Sequence, residues 1–396
     1  MKVVKILLSH NFYRSSAPSG ENTVFANERA ILSRHGHEVV SFERFNDEID
    51  DTTLVSRLKV ATACSWSPTV YRDLSIILKN VRPDIAHFHN TFPLISPSAY
   101  AACRDNGVPV VQTLHNFRLI CPGGLLQRGG HPCEDCVGTS LLPALKHRCY
   151  RDSILATGAV VWMLQRNRRK GSYNKLVSRY VALTHFAANR LVQGGLPKER
   201  IVIKPNCMID APSPGSGDGG YVVYVGRLSE EKGVRTLIAA WRGLKTIPLK
   251  ILGEGPLREE LEEVVERENL PVEFMGYCAR DIATGVVSNA AFQIVPSEWY
   301  EGFPMVIVEA YACGTPIIAS RIGSLDEIVE DGRTGMKFRP GNVEDLIGKV
   351  MAVWKDPALR VSMRRIARQR FDERFSDAKN YESLMAIYQD VMDDPT

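Results

Sequence analysis

Short apolar runs alternate with stretches of helical spacing along this chain, stop once, and start again. The first series runs through "VKILLSH" (4–10), "HEVVSFE", "DIAHFHN", "PVVQTLHN", "YVALTH" and "IVIKPN". Val24, Phe25, Glu28, Ile31 and Leu32 mark a helix over 22–35 after the first run. Strands that alternate with helices read as parallel strands joined by helical crossovers. The rhythm breaks at "APSPGSGDGG" (211–220), which has no apolar periodicity and reads as a linker. It resumes with "YVVYVG", "LKILGEG", "VEFMGY", "FQIVPS" and "TPIIAS", the clearest intervening helix being "PLREELEEVVEREN". The expectation is an α/β chain of two doubly wound, Rossmann-like parallel-sheet domains facing across a cleft. Residues 1–205 form the first domain, 206–220 a linker and 221–375 the second domain. A last helix over 376–396 is expected to pack back on the first domain. Ligands of such sheets sit beyond the carboxyl ends of the strands, which directs attention to the loops there.

A length of 396 residues suits two domains, and 44% hydrophobic with 24% charged residues is ordinary for a water-soluble globular chain. The longest apolar candidate, 302–319, is broken by glycine, proline and Glu309, so no membrane span is expected. "MKVVKILLSHNFYR" is interrupted by Lys5 and reads as a first strand, not a signal peptide; with nine cysteines this points to a reducing, cytoplasmic setting. Charge is uneven. Residues 1–210 carry 27 Lys and Arg against 16 Asp and Glu, and the rest carry 22 against 29. Segment 146–179 holds nine basic residues and one acid, Asp152, around the apolar "AVVWML". It reads either as a solvated basic helix or as an in-plane contact with an anionic membrane surface. No aromatic-interleaved motif accompanies it, which argues against nucleic acid.

The strand-end loops of the second domain carry the chemistry. "YVVYVGRLSEEKGV" ends a strand at Gly226 and offers Arg227 and Lys232 before a helix, two cations suited to a diphosphate; the bland alternative pairs them with Glu230 and Glu231. "ILGEGPL" places Gly253 and Gly255 around Glu254, a tight turn or a close approach to a ligand. "EWYEGFPMVIVEAYACGTP" carries Glu301 ahead of an expected helix start at Pro304, and Glu309 inside an otherwise apolar run. Buried carboxylates need partners. Either an arginine of the core satisfies Glu309, or both acids accept hydrogen bonds from hydroxyls of a polyol ligand while the N–H groups of 302–305 face its phosphate end.

Gly226-Arg227, Lys232-Gly233, Gly253-Glu254-Gly255-Pro256 and Glu301-x7-Glu309, in that order, resemble the retaining glycosyltransferases of family 4, which have the two-domain GT-B fold. "PSGEN" (18–22), "DIAHFHN", "TLHN", "LTHF", "KPN" (204–206) and "GSLDEIVEDGRTG" extend the resemblance over nearly the whole chain. It implies a nucleotide-diphosphate sugar donor, UDP- or GDP-linked, and a hexosyltransferase. Arg227 and Lys232 would hold the diphosphate. Glu301, Gly302, Phe303 and Pro304 would surround the transferred sugar, and Glu309 the ribose. His115 would lie over the sugar, Gly20 would let the first loop reach the diphosphate, and Glu254 and Gly226 would belong to the donor site. No Asp-x-Asp pair occurs in the chain, and the resemblance implies chemistry without a catalytic metal. The expected acceptor is a lipid-linked glycan of cell-surface polysaccharide biosynthesis, met by a peripheral enzyme at the inner membrane face. The same fold hosts epimerases and phosphorylases, and a non-catalytic nucleotide-sugar binder is a further class.

One insert, about 117–152, holds Cys121, Cys133, Cys136 and Cys149, with His131 and His147 nearby. The Cys133-x2-Cys136 spacing suits structural zinc; reduced thiols and disulfides are the other readings. Cys64, Cys103, Cys207, Cys278 and Cys313 read as small core hydrophobes.

Overall fold

The structure, a computed structural model, describes residues 3–16, 19–50 and 52–394. Met1, Lys2, Ala17, Pro18, Asp51, Pro395 and Thr396 lie outside the described residues, and with them Pro18 of the "PSGEN" loop. The chain forms two units. The first comprises 1–126, 134–206 and 380–396, and the second 127–133 and 207–379.

The first unit contributes β1 (Lys5–Phe12), β2 (Glu38–Phe45), β3 (Ile85–Phe88), β4 (Val110–Leu114), β7 (Arg179–Ala182) and β8 (Ile201–Ile203), while the short hairpin β5 (Gln127–Arg128) and β6 (His131–Pro132) between β4 and β7 belongs to the second. The sheet order is β2-β1-β3-β4-β7-β8, with every pair parallel. The second unit contributes β9 (Val222–Val225), β10 (Leu249–Leu252), β11 (Val272–Gly276), β12 (Gln293–Val295), β13 (Ile317–Ser320) and β14 (Gly335–Phe338). They lie in the order β11-β10-β9-β12-β13-β14, again all parallel. Central strands β3, β4 and β12 are buried at every residue, as continuous apolar runs require when helices cover both faces.

Alternation along β9 shows the double winding. Val222 and Tyr224 pack with Leu237 and Trp241 of the helix Val234–Trp241 and with Leu346 and Val350 of the helix Val343–Lys355. Val223 points the other way, into Ile307, Val308 and Tyr311 of the helix Met305–Ala312. In the first unit, Val4, Ile6, Ile85, Val111 and Val181 pack against Leu384, Ile387, Tyr388 and Val391 of the last helix, Asp377–Asp393. Each such buried side chain contributes about 1.5–3 kcal/mol.

The order of strands reverses between β1 and β3 in the first sheet and between β9 and β12 in the second. Such a switch point opens a crevice beyond the carboxyl ends of the strands, because the neighbouring connections leave toward opposite faces. Two elements differ from the sequence reading. Strand β14 completes the second sheet inside the stretch "DGRTGMKFRP", where the apolar run is too short to stand out. Pro304 is the N-cap and not the first helical residue, with ψ at 101°; the helix begins at Met305.

Candidate active site

Polar side chains gather at the β9–β12 switch point. The loop after β9 delivers Lys232 and the loop after β12 delivers Ser297, Trp299 and Glu301. Glu301 Oε1 accepts from Lys232 Nζ at 2.7 Å, from Ser297 Oγ at 2.7 Å and from Trp299 Nε1 at 3.1 Å. The ammonium also lies 5.5 Å from the Trp299 ring centroid. Burial pushes the Glu301 carboxyl up, but the Lys232 charge and the three donors outweigh it and hold the group below the usual carboxylate range. All three donors converge on one oxygen. Among the described residues no protein donor reaches Oε2, which remains available to a ligand hydroxyl.

Gly233 explains why the two loops meet. Its φ is +68°, and a Cβ there would stand 1.9 Å from the carbonyl oxygen of Pro296. Only glycine permits both the left-handed turn and this approach. Two further bonds stitch the loops: Glu298 N–H donates to the Glu231 carbonyl at 2.9 Å, and Thr236 Oγ1 donates to Glu298 at 2.6 Å. Gly253 does the same between β9 and β10, since a Cβ would lie 2.0 Å from the Gly226 carbonyl oxygen. These glycines serve backbone-to-backbone packing as well as turning.

Arg227 is exposed, and among the described residues no acid or acceptor takes its guanidinium. The bland pairing with Glu230 and Glu231 does not form: Glu230 bonds Arg235 at 2.9 Å, and Glu231 accepts from Ser229 Oγ at 2.6 Å. Glu254 is spent locally, on Arg258 one turn along and on the Tyr277 N–H at 3.3 Å. Gly302 and Phe303 lie half-buried ahead of Pro304, and the helix Met305–Ala312 starts without a side-chain cap. Glu309 corrects an expectation. It is exposed, on the one outward face of that helix, so it needs no core partner. Protein nevertheless crowds its carboxyl, and this desolvation raises its pKa against the pull of Arg280.

In the first unit the polar residues gather beyond β1, β3 and β4. His115 follows β4 directly and is half-buried. Its Nε2 lies 2.9 Å from His89 Nδ1. His89 Nε2 is 3.3 Å from Glu28, and Glu28 is bonded by Lys204 Nζ at 2.5 Å. His87 bridges Tyr388 at 2.7 Å and Thr113 at 2.8 Å. Burial drives the pKa of His115 far down, and His89 and His10 add to it. His10, bonded to Asn22 at 2.9 Å, is held down to about 3, chiefly by burial. Glu28 goes the other way: burial raises it, but Lys204 and the histidines dominate and keep it well below the usual range. Gly20 opens the helix Gly20–Arg34, with Ser19 as its cap, and a Cβ on it would meet nothing within 4 Å. Protein packing therefore does not demand glycine at 20.

Glu28, His87, His89 and Lys204 were missed as a group by sequence reasoning, although the signal was present. Glu28 occupies the apolar stripe of its helix, and His87 and His89 alternate along "DIAHFHN". Glu28, His87 and His89 also bring potential metal ligands within 4.8 Å of one another. The Lys204 ammonium already occupies the cation position on Glu28, which disfavours a metal there. The nine cysteines form no disulfide. Cys121 Sγ and Cys149 Cβ both lie against Gly123, but the four insert cysteines are not among the described residues whose ligand atoms gather within that distance. Among the described residues no helix is long and apolar enough to cross a membrane.

Comparison with known proteins agrees with this architecture. The family model described as Glycosyltransferase Family 4 matches residues 18–208, and that described as Glycosyl transferases group 1 matches residues 210–370. An uncharacterized glycosyltransferase of Methanocaldococcus jannaschii is 26% identical over 355 residues, 86% of this chain and 93% of that one. Glycogen synthase of Mycobacterium tuberculosis is 37% identical over 304 residues, 74% of this chain and 66% of that one. The structure of HepE from Anabaena in complex with UDP superposes with a TM-score of 0.69 at 18% identity, covering 98% of this chain and 100% of that one. Two matched halves joined end to end, on two six-stranded parallel sheets, make this chain a glycosyltransferase of the family 4 and group 1 kind, with the GT-B fold.

Proposed function

We propose that the protein transfers a hexose from a nucleotide-diphosphate donor to a hydroxyl acceptor with retention of anomeric configuration. The observation that carries this reading is the Lys232–Glu301 pair at the β9–β12 switch point, where among the described residues no protein donor reaches Glu301 Oε2, together with the exposed Arg227 on the same loop as Lys232. Arg227 and Lys232 bind the diphosphate. Glu301 Oε2 accepts from a sugar hydroxyl and Glu309 from the ribose; His115 and Gly20 are further proposed donor contacts. HepE, of the same fold, has been solved with UDP and with UDP-glucose, which supports a sugar nucleotide as the donor.

The bond from the anomeric carbon to the phosphate oxygen breaks with its electron pair leaving on the diphosphate. The acceptor oxygen bonds to the anomeric carbon on the same face, and its proton passes to the departing phosphate oxygen. Two cations oppose the charge that grows there, an electrostatic contribution worth most where water is excluded. No catalytic metal is required by this scheme. The four insert cysteines remain a proposed structural zinc site.

A lipid-linked glycan at an anionic membrane surface is the proposed acceptor. Leu142, Ile154, Leu155 and Trp162 expose large apolar side chains, and Leu155 is 82% accessible. They lie within or beside the basic segment 146–179, the combination an in-plane membrane contact uses.

Incubation with UDP- and GDP-hexoses tests the reading, with the released or transferred sugar followed by proton NMR. The expected product keeps the donor's anomeric configuration, forms in chelator, and is lost in Lys232→Ala and Glu301→Ala. An inverted product would refute retention. A sugar nucleotide changed in configuration, a phosphate-dependent sugar phosphate, or tight donor binding without turnover would replace the reading by an epimerase, a phosphorylase or a binder.

A further inference from the structure

Behind His115 the first unit buries a chain of polar groups that the transfer scheme leaves unused. Glu28, fully buried in the helix Gly20–Arg34, stands at its far end. We propose that Glu28 is a positioning residue that fixes the tautomers of His89 and His115, so that His115 presents Nδ1 as a hydrogen-bond acceptor and selects a ligand hydroxyl that donates. The second half of this inference rests on the proposed donor-binding role of His115.

The proton count leaves one arrangement. An ionised carboxylate only accepts, and Lys204, a pure donor on Oε1 at 2.5 Å, keeps Glu28 in that form. His89 Nε2 lies 3.3 Å from Glu28 Oε2, and among the described residues neither buried atom has another hydrogen-bond partner, so a ring proton on Nε2 is what would satisfy both. A neutral imidazole has one N–H, so His89 Nδ1 is a lone pair. His115 Nε2, 2.9 Å away, must then donate to it. The two ring planes differ by 18° and their centroids lie 5.2 Å apart, the geometry of an in-plane N–H···N bond. His115 has spent its only proton inward, and among the described residues nothing bonds its Nδ1. His115 lines a pocket shared with His89, Asn116 and Arg118.

Glu28→Gln should reverse the chain. Lys204 retains the amide oxygen, the amide NH2 turns to His89 Nε2, and that nitrogen becomes an acceptor. His89 Nδ1 then donates to His115 Nε2, and His115 Nδ1 carries a proton toward the pocket.

The full-length chain labelled with 15N-histidine, without ligand at pH 8, tests the first half, with His115→Gln assigning the signal. The wild type should show His115 protonated at Nε2 and Glu28→Gln at Nδ1. A wild-type His115 protonated at Nδ1 overturns the proposal, and this arm survives even if the variant does not fold. Donors with one hydroxyl at a time replaced by fluorine, which cannot donate, test the second half. For one of them the wild type should lose about 10-fold or more in kcat/KM. Glu28→Gln should weaken the natural donor by a similar factor, mainly in KM, and leave that fluorinated donor nearly unchanged. A merely structural Glu28 would depress both donors equally, which would overturn the selection step. If the tautomers hold and no fluorinated donor is discriminated, the donor-facing role of His115 fails while the tautomer assignment stands.

Discussion

Gly233 shows what a single residue decides here. Its positive φ and its approach to the Pro296 carbonyl, where an added Cβ would stand only 1.9 Å from the oxygen, hold Lys232 against the β12 loop. Gly233→Ala should lower stability by about 1–3 kcal/mol, read as a fall in the urea midpoint, and should also cut activity because Lys232 leaves Glu301. Lys232→Ala removes the charge that holds the Glu301 carboxyl down, at a cost of about 1–3 kcal/mol at pH 7. A carboxyl depressed in the fold stabilises above its unfolded pKa and loses that contribution as pH falls through its folded value. In the variant, burial is left to Ser297 and Trp299 to offset, so the carboxyl rises and its destabilising effect fades as it protonates. The gap between wild type and Lys232→Ala should therefore narrow as unfolding is measured from pH 7 down toward pH 4; a constant gap would contradict the pairing. The residues of this pair were legible in the sequence because each sits in a short loop right after an apolar run. Their bond to one another was not, since 69 positions separate them and Gly233 sets the approach. Glu309 misled for a physical reason: an apolar run that forms a helix still has one outward face.

Among the elements, the last helix packs directly on the first sheet. Leu384, Ile387, Tyr388 and Val391 close one face over β1, β3, β4 and β7. Leu384→Ala should cost about 2–5 kcal/mol, a packing and cavity loss measurable by denaturant titration. Tyr388→Phe keeps the packing but orphans His87 Nδ1, for about 1–3 kcal/mol. Strands were easy to place because both faces of a parallel sheet are covered, so "DIAHF" and "FQIV" read as unbroken apolar runs. The first helix was placed within two residues, and its buried Glu28 was visible in the apolar stripe without a partner to explain it. Lys204, 176 positions away, supplies that partner through the fold alone.

At the scale of the whole molecule, the uneven charge and the exposed Leu155 and Trp162 predict binding to anionic vesicles. Co-sedimentation should weaken steeply with salt, at about 1 kcal/mol per cation engaged, and fall in Leu155→Asp. Metal analysis of the purified chain should find one zinc per chain if the four insert cysteines close a site; none would leave them reduced thiols. The most direct measurement is calorimetric titration of UDP and GDP into wild type, Arg227→Ala and Lys232→Ala. The account predicts that the wild type binds one of the two and that each variant loses about 10-fold or more in affinity. Equal binding by all three proteins would contradict the placement of the donor diphosphate at the β9–β12 switch point.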